Sequence, residues 1–522
     1  MSRDIIVGLD AGTSLIKFVA FTLEGKFIDS ASVENKVYYR EGSKAEQNLN
    51  ETWEKVIESL GLLHQKIPNL QDRIAGLSIT GQGDGSWPID NQANPVGDAA
   101  LWLDGRSGDI IDQWRNSEVG PSVTNITHTG LNPSMQSGQM YHIAKFERER
   151  FDQIDKVLRC KDWIFHKMTG EILTEISEAI MTWGSPLTRK YDDEVLHLLD
   201  LHSMKKKQPE IIDSTEHFGK LTLQASKLLN LKEGTPIILA PVDVVCSGIG
   251  SGFVDHSKKI GCTVLGTAGI HIFVDFINSD VESSKQLGYT MPLSGSKANA
   301  KMVSNMVASL NTDWFIDIYS SIYEKIGEKN FPKKEILNFF ENGASESPPS
   351  SIFYYPFISP NGERGPFVNA KARAQFLGLN TNTKVDDMVR AIYESLGYAC
   401  KDCYTEFGAE LDLLRLTGGA SNSPLVRKIV GSITKNNTQV IDNSEQGAAG
   451  AFMVGLLALK IANEYHELNK NWVEPYLKEA EIFDSKLSKI YEKSFEVYKS
   501  GYQAMSQFWD KNHQLQEGKH EN

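Results

Sequence analysis

The amino-acid sequence predicts an α/β protein built from two similar halves that face one cleft. Two observations carry this expectation. Short apolar runs alternate with stretches of helical spacing along the chain, the pattern of packed strand and helix layers. In addition, one unit occurs once in each half: an apolar strand ending in a Gly/Thr turn, then a second short β-branched run. The first copy is Ile5–Ser14 followed by Leu15–Phe21, and the second is Lys259–Gly269 followed by Ile270–Phe276. Runs this short around a glycine turn read as hairpins.

The remaining elements follow from their periods. Thr52–Leu63 places Trp53, Val56, Ile57 and Leu60 at three- and four-residue spacing and predicts a helix. Ile74–Thr80 and Thr235–Leu239 read as strands, Val385–Phe407 as a long helix, and Leu413–Thr417 as a strand. A Gly-Gly turn then leads to a helix from about Pro424. Ala448–Ala462 is the most apolar helical stretch; it is too short to span a bilayer and contains Lys460. Ile482–Trp509 reads as an amphipathic helix, with a frayed polar tail from Asn512.

Composition limits the function classes. The chain has 522 residues, ordinary globular usage and a net charge of −13. So acidic a chain is a poor general nucleic-acid binder, because phosphate repels it. An anionic ligand then needs a locally positive or amide-lined pocket. No apolar leader follows Met1, and five cysteines make no disulfide framework, so a cytoplasmic protein without membrane contact is expected. Cys400 and Cys403 form a lone C-x-x-C inside a helical stretch and read as ordinary helix cysteines rather than zinc ligands. No repeat of 20–50 residues is apparent. A homodimer is left open.

The first turn, Asp10-Ala11-Gly12-Thr13-Ser14-Leu15-Ile16-Lys17, has the chemistry of a phosphate site. Gly12 lets the backbone approach a ligand, and successive amides form an anion nest. Thr13 and Ser14 add hydroxyl donors, Lys17 adds charge, and Asp10 can hold Mg2+ directly or through water. There is no P-loop, and a strand rather than a Rossmann helix follows. A plain hairpin turn would need the same Gly and Thr; the second turn, Gly266-Thr267, favours the phosphate reading.

Together the two turns resemble the nucleotide site of the actin/Hsp70/sugar-kinase (ribonuclease H-like) superfold. Four further segments resemble the FGGY carbohydrate kinases in order and spacing. They are Gly81–Gly85; Pro241-Val242-Asp243-Val244; Gly362–Pro366 leading to Ala372–Leu379; and Thr417–Asn422 followed by Glu445–Gly450. The resemblance implies a two-domain fold with an interdomain cleft. Residues 1–246 would form an N-terminal domain for acceptor and phosphate, and residues 247–522 a C-terminal nucleotide domain. It also implies ATP as donor, Mg2+ as cofactor and a small polyol or sugar as acceptor.

The family's residue roles transfer by position. Asp243 matches the catalytic base, and an Asp at a strand end is otherwise a cap or turn former. Asp10 would position Mg2+ through water. Gly12, Thr13, Ser14 and Lys17 would hold phosphates together with Gly266 and Thr267. Gly418, Gly419 and Ala420 match the loop against the adenosine, with Ser421 and Asn422 as polar contacts. Gln82, Asp84, Trp102 and Asp104 would bind the acceptor, with Gln136 and Ser137 as weaker candidates. The alternative for Trp102 is a core position, and for Asp104 a structural ion pair with Arg106. Glycerol kinases carry Arg at the positions of Lys17 and Gly83 and Glu at that of Asp84; the lost Arg at Gly83 argues against glycerol as acceptor, whereas Lys17 keeps the charge and loses the bidentate fork.

Within the family, Gly81–Trp87, Leu101–Asp104, Cys160–Trp163, Tyr191–Val195 and Gly362–Ala374 look like the erythritol-kinase group. That likeness implies phosphorylation of a terminal hydroxyl of a four-carbon polyol. Kinases of xylulose, L-xylulose, ribulose or xylitol share the same skeleton. A non-catalytic sugar-responsive protein would be expected to carry a DNA-binding module, for which no room precedes the first turn. An actin-like polymerising ATPase would not require the Gln82–Asp104 set.

Overall fold

The computed structural model describes residues 3–276, 287–325, 332–442 and 445–517. The chain forms two compact units. The first gathers Met1–Asp255, Val274–Lys301 and Asn443–Pro475; the second gathers His256–Phe273, Met302–Asp442 and Tyr476–Asn522.

The first sheet contains β1 (Ile5–Ala11), β2 (Leu15–Thr22), β3 (Phe27–Glu34), β4 (Ile74–Gly81), β5 (Gly219–Lys220) and β6 (Pro236–Leu239). Their order is β5-β6-β4-β1-β2-β3. β1, β2 and β3 form an antiparallel meander, whereas β4 runs parallel to β1 and β6 parallel to β4. β1 is buried along its length except at Asp10, as expected of a strand covered on both faces.

The second sheet contains β7 (Ile260–Leu265), β8 (Gly269–Asp275), β9 (Tyr289–Pro292), β10 (Asn299–Asn305), β11 (Leu413–Thr417) and β12 (Thr438–Val440), in the order β9-β10-β8-β7-β11-β12. β7 and β8 are antiparallel, and β7, β11 and β12 are parallel. Both sheets thus set a first strand between its hairpin partner and later parallel strands. This is the ribonuclease H-like arrangement that the two Gly/Thr hairpins predict.

The helices that bear on the site are α1 (Leu49–Lys66), α2 (Cys160–Thr169), α3 (Ile176–Trp183), α4 (Asp243–Gly250), α5 (Val385–Glu406), α6 (Pro424–Thr434), α7 (Gln446–Ala458) and α8 (Ser485–Glu517). Asn48 caps α1 by accepting from the amides of Asn50 and Glu51, so the helix begins three residues before its apolar stripe suggests. Leu49, Trp53, Val56, Leu60 and Leu63 face the core. Ser59 on the same face donates to the carbonyls of Ile16 and Ala31 and ties α1 to β2 and β3. α8 continues through Asn512 to Glu517, so the expected frayed tail is helical there; residues 518–522 lie outside the described set. Cys400 and Cys403 are buried on α5, against Thr263 and Asn305 respectively.

α7 is apolar on every side and correspondingly buried, on β1, β4 and α4. The approach is backbone to backbone. A Cβ on Gly450 would lie 1.8 Å from the Cys246 carbonyl oxygen, and one on Gly250 would lie 2.2 Å from that of Gln446. A Cβ on Gly8 would lie 2.5 Å from the Ala448 carbonyl oxygen. Among the described residues no helix is long and apolar enough to cross a membrane.

This packing leaves no space for one methyl group between α4 and α7. Gly450→Ala is expected to destabilise the first unit by about 1–3 kcal/mol, the usual cost of overpacking. Chemical denaturation of both forms measures it; an unchanged midpoint would mean that the helices separate freely.

Candidate active site

Three parallel strands end side by side on one edge of the first sheet. β1 pairs with β4 in the register Asp10↔Thr80 and Ala11↔Gly81, and β6 pairs with β4 at Leu239↔Ile79. The chain leaving each strand therefore reaches the same edge: Gly12–Thr13 from β1, Gln82–Asp84 from β4, and Ala240–Asp243 from β6. The carboxyl ends of parallel strands are where open α/β sheets bind ligands, because the loops there are free to vary while the strands fix their origins.

A ring of side chains links the first turn to the acceptor side. The Thr13 hydroxyl donates to Gln82 Oε1 at 2.9 Å, Gln82 Nε2 donates to Gln47 Oε1 at 2.7 Å, and Gln47 Nε2 donates to the Thr13 carbonyl at 2.8 Å. Trp102 Nε1 also donates to the Thr13 hydroxyl, at 2.8 Å. Trp102 is half-buried, so it is not the core residue that was its alternative reading. Ser14 is exposed, and its carbonyl accepts from the Asn35 amide. Lys17 Nζ lies 3.1 Å from Glu445 Oε2, at the start of α7.

Asp104 is withdrawn from the acceptor set. Its side chain is fully buried, and its oxygens accept from Arg106 Nε at 2.7 Å, from Arg106 Nη2 at 2.8 Å and from the Ala45 amide at 2.8 Å. Arg106 also pairs with Glu46 at 2.6 Å. The ion-pair alternative therefore holds, since no surface is left for a substrate. Gln136 is likewise spent inside the fold, between the Trp183 indole and the Leu158 carbonyl, and Ser137 is fully buried.

Asp84 sits in a left-handed turn (φ 55°) with Gly85 after it (φ 74°). Its Oδ2 accepts from the Tyr289 hydroxyl at 2.8 Å, and its amide donates to Glu178 Oε1 at 3.1 Å. Asp243 is the first residue of α4 rather than part of a loop, and the Val244 amide donates to its Oδ1 at 2.6 Å. Burial raises the proton affinity of Asp243 well above the carboxylate norm, and the charges of Asp10, Glu178 and Asp84 add to it against that amide bond. Burial likewise raises Asp10 to about 6; Lys17 opposes the rise and Glu445 adds to it.

In the second unit, β7 and β11 run parallel and bring two loops together. Gly418 has φ 86°, and a Cβ there would lie 2.6 Å from the Leu265 carbonyl carbon and 2.8 Å from the Gly266 nitrogen. Only glycine meets both conditions. The Gly266 and Thr267 carbonyls accept from the Ser309 and Ala308 amides, and the Thr267 side chain is exposed. Gly419–Asn422 is a short 3₁₀ turn; Gly419 and Asn422 are exposed and Ala420 is half-buried. Ser421 is buried and donates to the Gly418 carbonyl at 2.7 Å, so it shapes the loop instead of offering a free hydroxyl. Arg427 holds the carbonyls of Ser421 and Asn422.

Sequence reasoning missed Gln47, Tyr289 and Glu178. Glu178 did leave a signal, as an acid in the mostly apolar run Ile176–Met181, where a buried charge needs a partner. Gln47 and Tyr289 left none, because their partners stand 35 and 205 residues away.

Residues 5–250 match the model of the FGGY family of carbohydrate kinases, N-terminal domain, and residues 262–459 match that of the C-terminal domain. The chain is 35% identical over 509 residues to an erythritol kinase of Brucella abortus, covering 97% of this chain and 98% of that one. It is 25% identical over 506 residues to a xylulose kinase of Staphylococcus xylosus, covering 95% and 99%. The ligand-bound xylulose kinase structure from Lactobacillus acidophilus superposes with a TM-score of 0.87 at 20% identity, covering 98% of this chain and 100% of that one. The last of these establishes the shared fold.

The raised proton affinity of Asp10 has a consequence for stability. Folding loses stability as pH rises from about 4, where the unfolded group ionises, through about 6, where the folded one does. Asp10→Asn removes the buried charge. It is expected to stabilise the unliganded protein by about 1–3 kcal/mol at pH 8 and by about half as much at pH 5. Thermal unfolding at both pH values measures this; an equal gain at both would mean that Asp10 is not destabilised by its charge.

Proposed function

The chain belongs to the FGGY family of carbohydrate kinases, and we propose that it phosphorylates a terminal hydroxyl of erythritol with ATP as donor. The observation that carries this reading is the convergence of Asp243, Asp84 and Gln82 beside the Gly12–Thr13 turn, on one edge of the first sheet. The similarity to the Brucella erythritol kinase supports erythritol as the acceptor.

In this reading Gln82, Asp84 and Trp102 orient the acceptor, and Asp243 takes its hydroxyl proton. The acceptor oxygen forms a bond to the γ-phosphorus, the bond from that phosphorus to the bridging oxygen breaks, and ADP leaves. The proton passes to the Asp243 carboxylate late in transfer, because a loose phosphoryl-transfer transition state leaves the attacking hydroxyl only weakly acidic until the bond is well advanced. Burial, with the carboxylates around Asp243, raises its proton affinity and so favours that final position of the proton.

Gly12, Thr13, Ser14 and Lys17 bind phosphate. Lys17 exchanges Glu445 for a phosphate oxygen when it does so, and Thr13 keeps its turn in register with Gln82. In the second unit Gly266 and Thr267 contact phosphate, and Gly418, Gly419, Ala420 and Asn422 lie against the nucleoside. Mg2+ fits the first unit, because Asp10, Asp243 and Glu445 outweigh the single Lys17 ammonium there. Asp10 would hold it through water, and a bound Mg2+ supplies charge neutralisation for the transferring group.

ADP release with Mg·ATP across erythritol, threitol, glycerol, xylitol, ribitol, D-xylulose and L-xylulose tests the assignment. Release with erythritol above the others is expected. Release with a five-carbon acceptor instead would overturn erythritol and keep the chemistry. Asp243→Asn is expected to lower kcat by about 10²–10⁴-fold, the usual worth of a general base, with ATP affinity unchanged by calorimetry. Turnover near that of the unmodified enzyme would remove Asp243 from its role.

A further inference from the structure

The turn that carries Asp84 is held by a buried charge pair whose acid, Glu178, also faces Asp243. Asp84 keeps a left-handed backbone, which is strained for a non-glycine residue and persists only where the surroundings fix it. Beside the bonds of Gly85 to Ser134 and of Tyr289 to Asp84 Oδ2, the Asp84 amide itself is held by Glu178 Oε1. Glu178 is fully buried on α3. Lys161, equally buried on α2, holds its other oxygen, with Nζ 3.1 Å from Oε2, and also lies 3.3 Å from Asp162 Oδ1. Arg159 Nε stands 3.7 Å from the Glu178 oxygen that faces Asp84.

A buried ion pair is a weak stabiliser, because desolvation offsets its attraction. What this pair provides is an anionic acceptor fixed directly under one amide. The turn has no slack on its other side. A Cβ on Gly83 would lie 2.7 Å from Val242 Cγ2 and 3.5 Å from Glu178 Oε1, so the turn is wedged between Glu178 and the residue before Asp243.

We propose that Glu178, oriented by Lys161, is a positioning residue for the acceptor: it pins the Asp84 amide and thereby sets the direction in which Gln82 and Asp84 meet the polyol hydroxyls. The role rests on the reading of Asp84 as an acceptor ligand. It is local to the acceptor side, since neither residue bonds to the Gly12–Lys17 turn.

Two double variants isolate the contact. Lys161→Met with Glu178→Gln keeps an oxygen under the Asp84 amide, and Lys161→Met with Glu178→Leu removes it; both delete the two charges together. Steady-state kinetics with each panel acceptor that the unmodified enzyme phosphorylates give separate KM values for acceptor and Mg·ATP. The leucine form is expected to raise the acceptor KM about tenfold or more over the glutamine form, the worth of one charge-free buried hydrogen bond left unmade, with the Mg·ATP KM changed less than about twofold. Equal acceptor KM values, or equal rises for both substrates, would overturn the role. If circular dichroism shows the leucine form unfolded, Glu178→Asn against Glu178→Gln makes the same comparison, since the shorter side chain draws its oxygen away from the amide; an acceptor KM alike in both overturns the role. No turnover by the unmodified enzyme with any panel acceptor would overturn the functional reading itself, and this role with it.

Discussion

The close approach of α4 to α7 is the constraint on which the candidate site depends. Gly250 and Gly450 let the two helices meet along their backbones, and Gly8 lets α7 lie on β1. Asp243 begins α4 and Glu445 immediately precedes α7, so this one contact decides where both carboxylates sit relative to Asp10. Even Gly447 is constrained, as a Cβ there would lie 2.8 Å from Asp10 Oδ2. Packing without side chains is rigid, since nothing between the backbones can change rotamer. A helix start held this firmly is suited to carry a group that must meet a reacting hydroxyl at a fixed distance.

The second theme is an excess of negative charge held at low exposure. Asp10, Asp84, Asp243, Glu178 and Glu445 all act on the same sheet edge, and Lys17 and Lys161 answer them only in part. Burial raises Asp10 and Asp243 above the usual carboxylate range, and the neighbouring carboxylates add to it. The unliganded protein thus stores an unfavourable arrangement that a cation arriving with a nucleotide would relieve. The network around Asp104, Arg106 and Glu46 is of the opposite kind: its charges are matched and bonded inside the fold, and it holds a loop in place.

Much of the fold was legible because period and punctuation are local. The hairpins around Gly12 and Gly266, the strand Leu413–Thr417 and the helix from Pro424 all follow from short stretches of chain. The start of α1 was less so, because its cap, Asn48, is set by side-chain bonding rather than by apolar spacing. Asp10 and the two turns were singled out by residue type at a strand end, and Asp243 by its match to the family's pattern. Asp104 was misjudged because its type and neighbourhood fit a hydroxyl ligand equally well. Only the folded position of Ala45, Glu46 and Arg106 reveals that its oxygens are taken.

The sequence by itself determined the α/β class, the repeated hairpin, the carboxylates and glycine turns that mark the candidate site, and a net charge unsuited to nucleic acid. These depend on the order of residues along short segments, which no later packing can alter. The tertiary structure alone decided which polar groups remain available. It joined Thr13 to Gln82 and Gln47, tied Asp84 to Tyr289 and Glu178, and closed Asp104 inside an ion pair. The reason is that hydrogen bonding saturates: once Ala45 and Arg106 take both Asp104 oxygens none is left for a ligand, and only three-dimensional proximity brings such partners together.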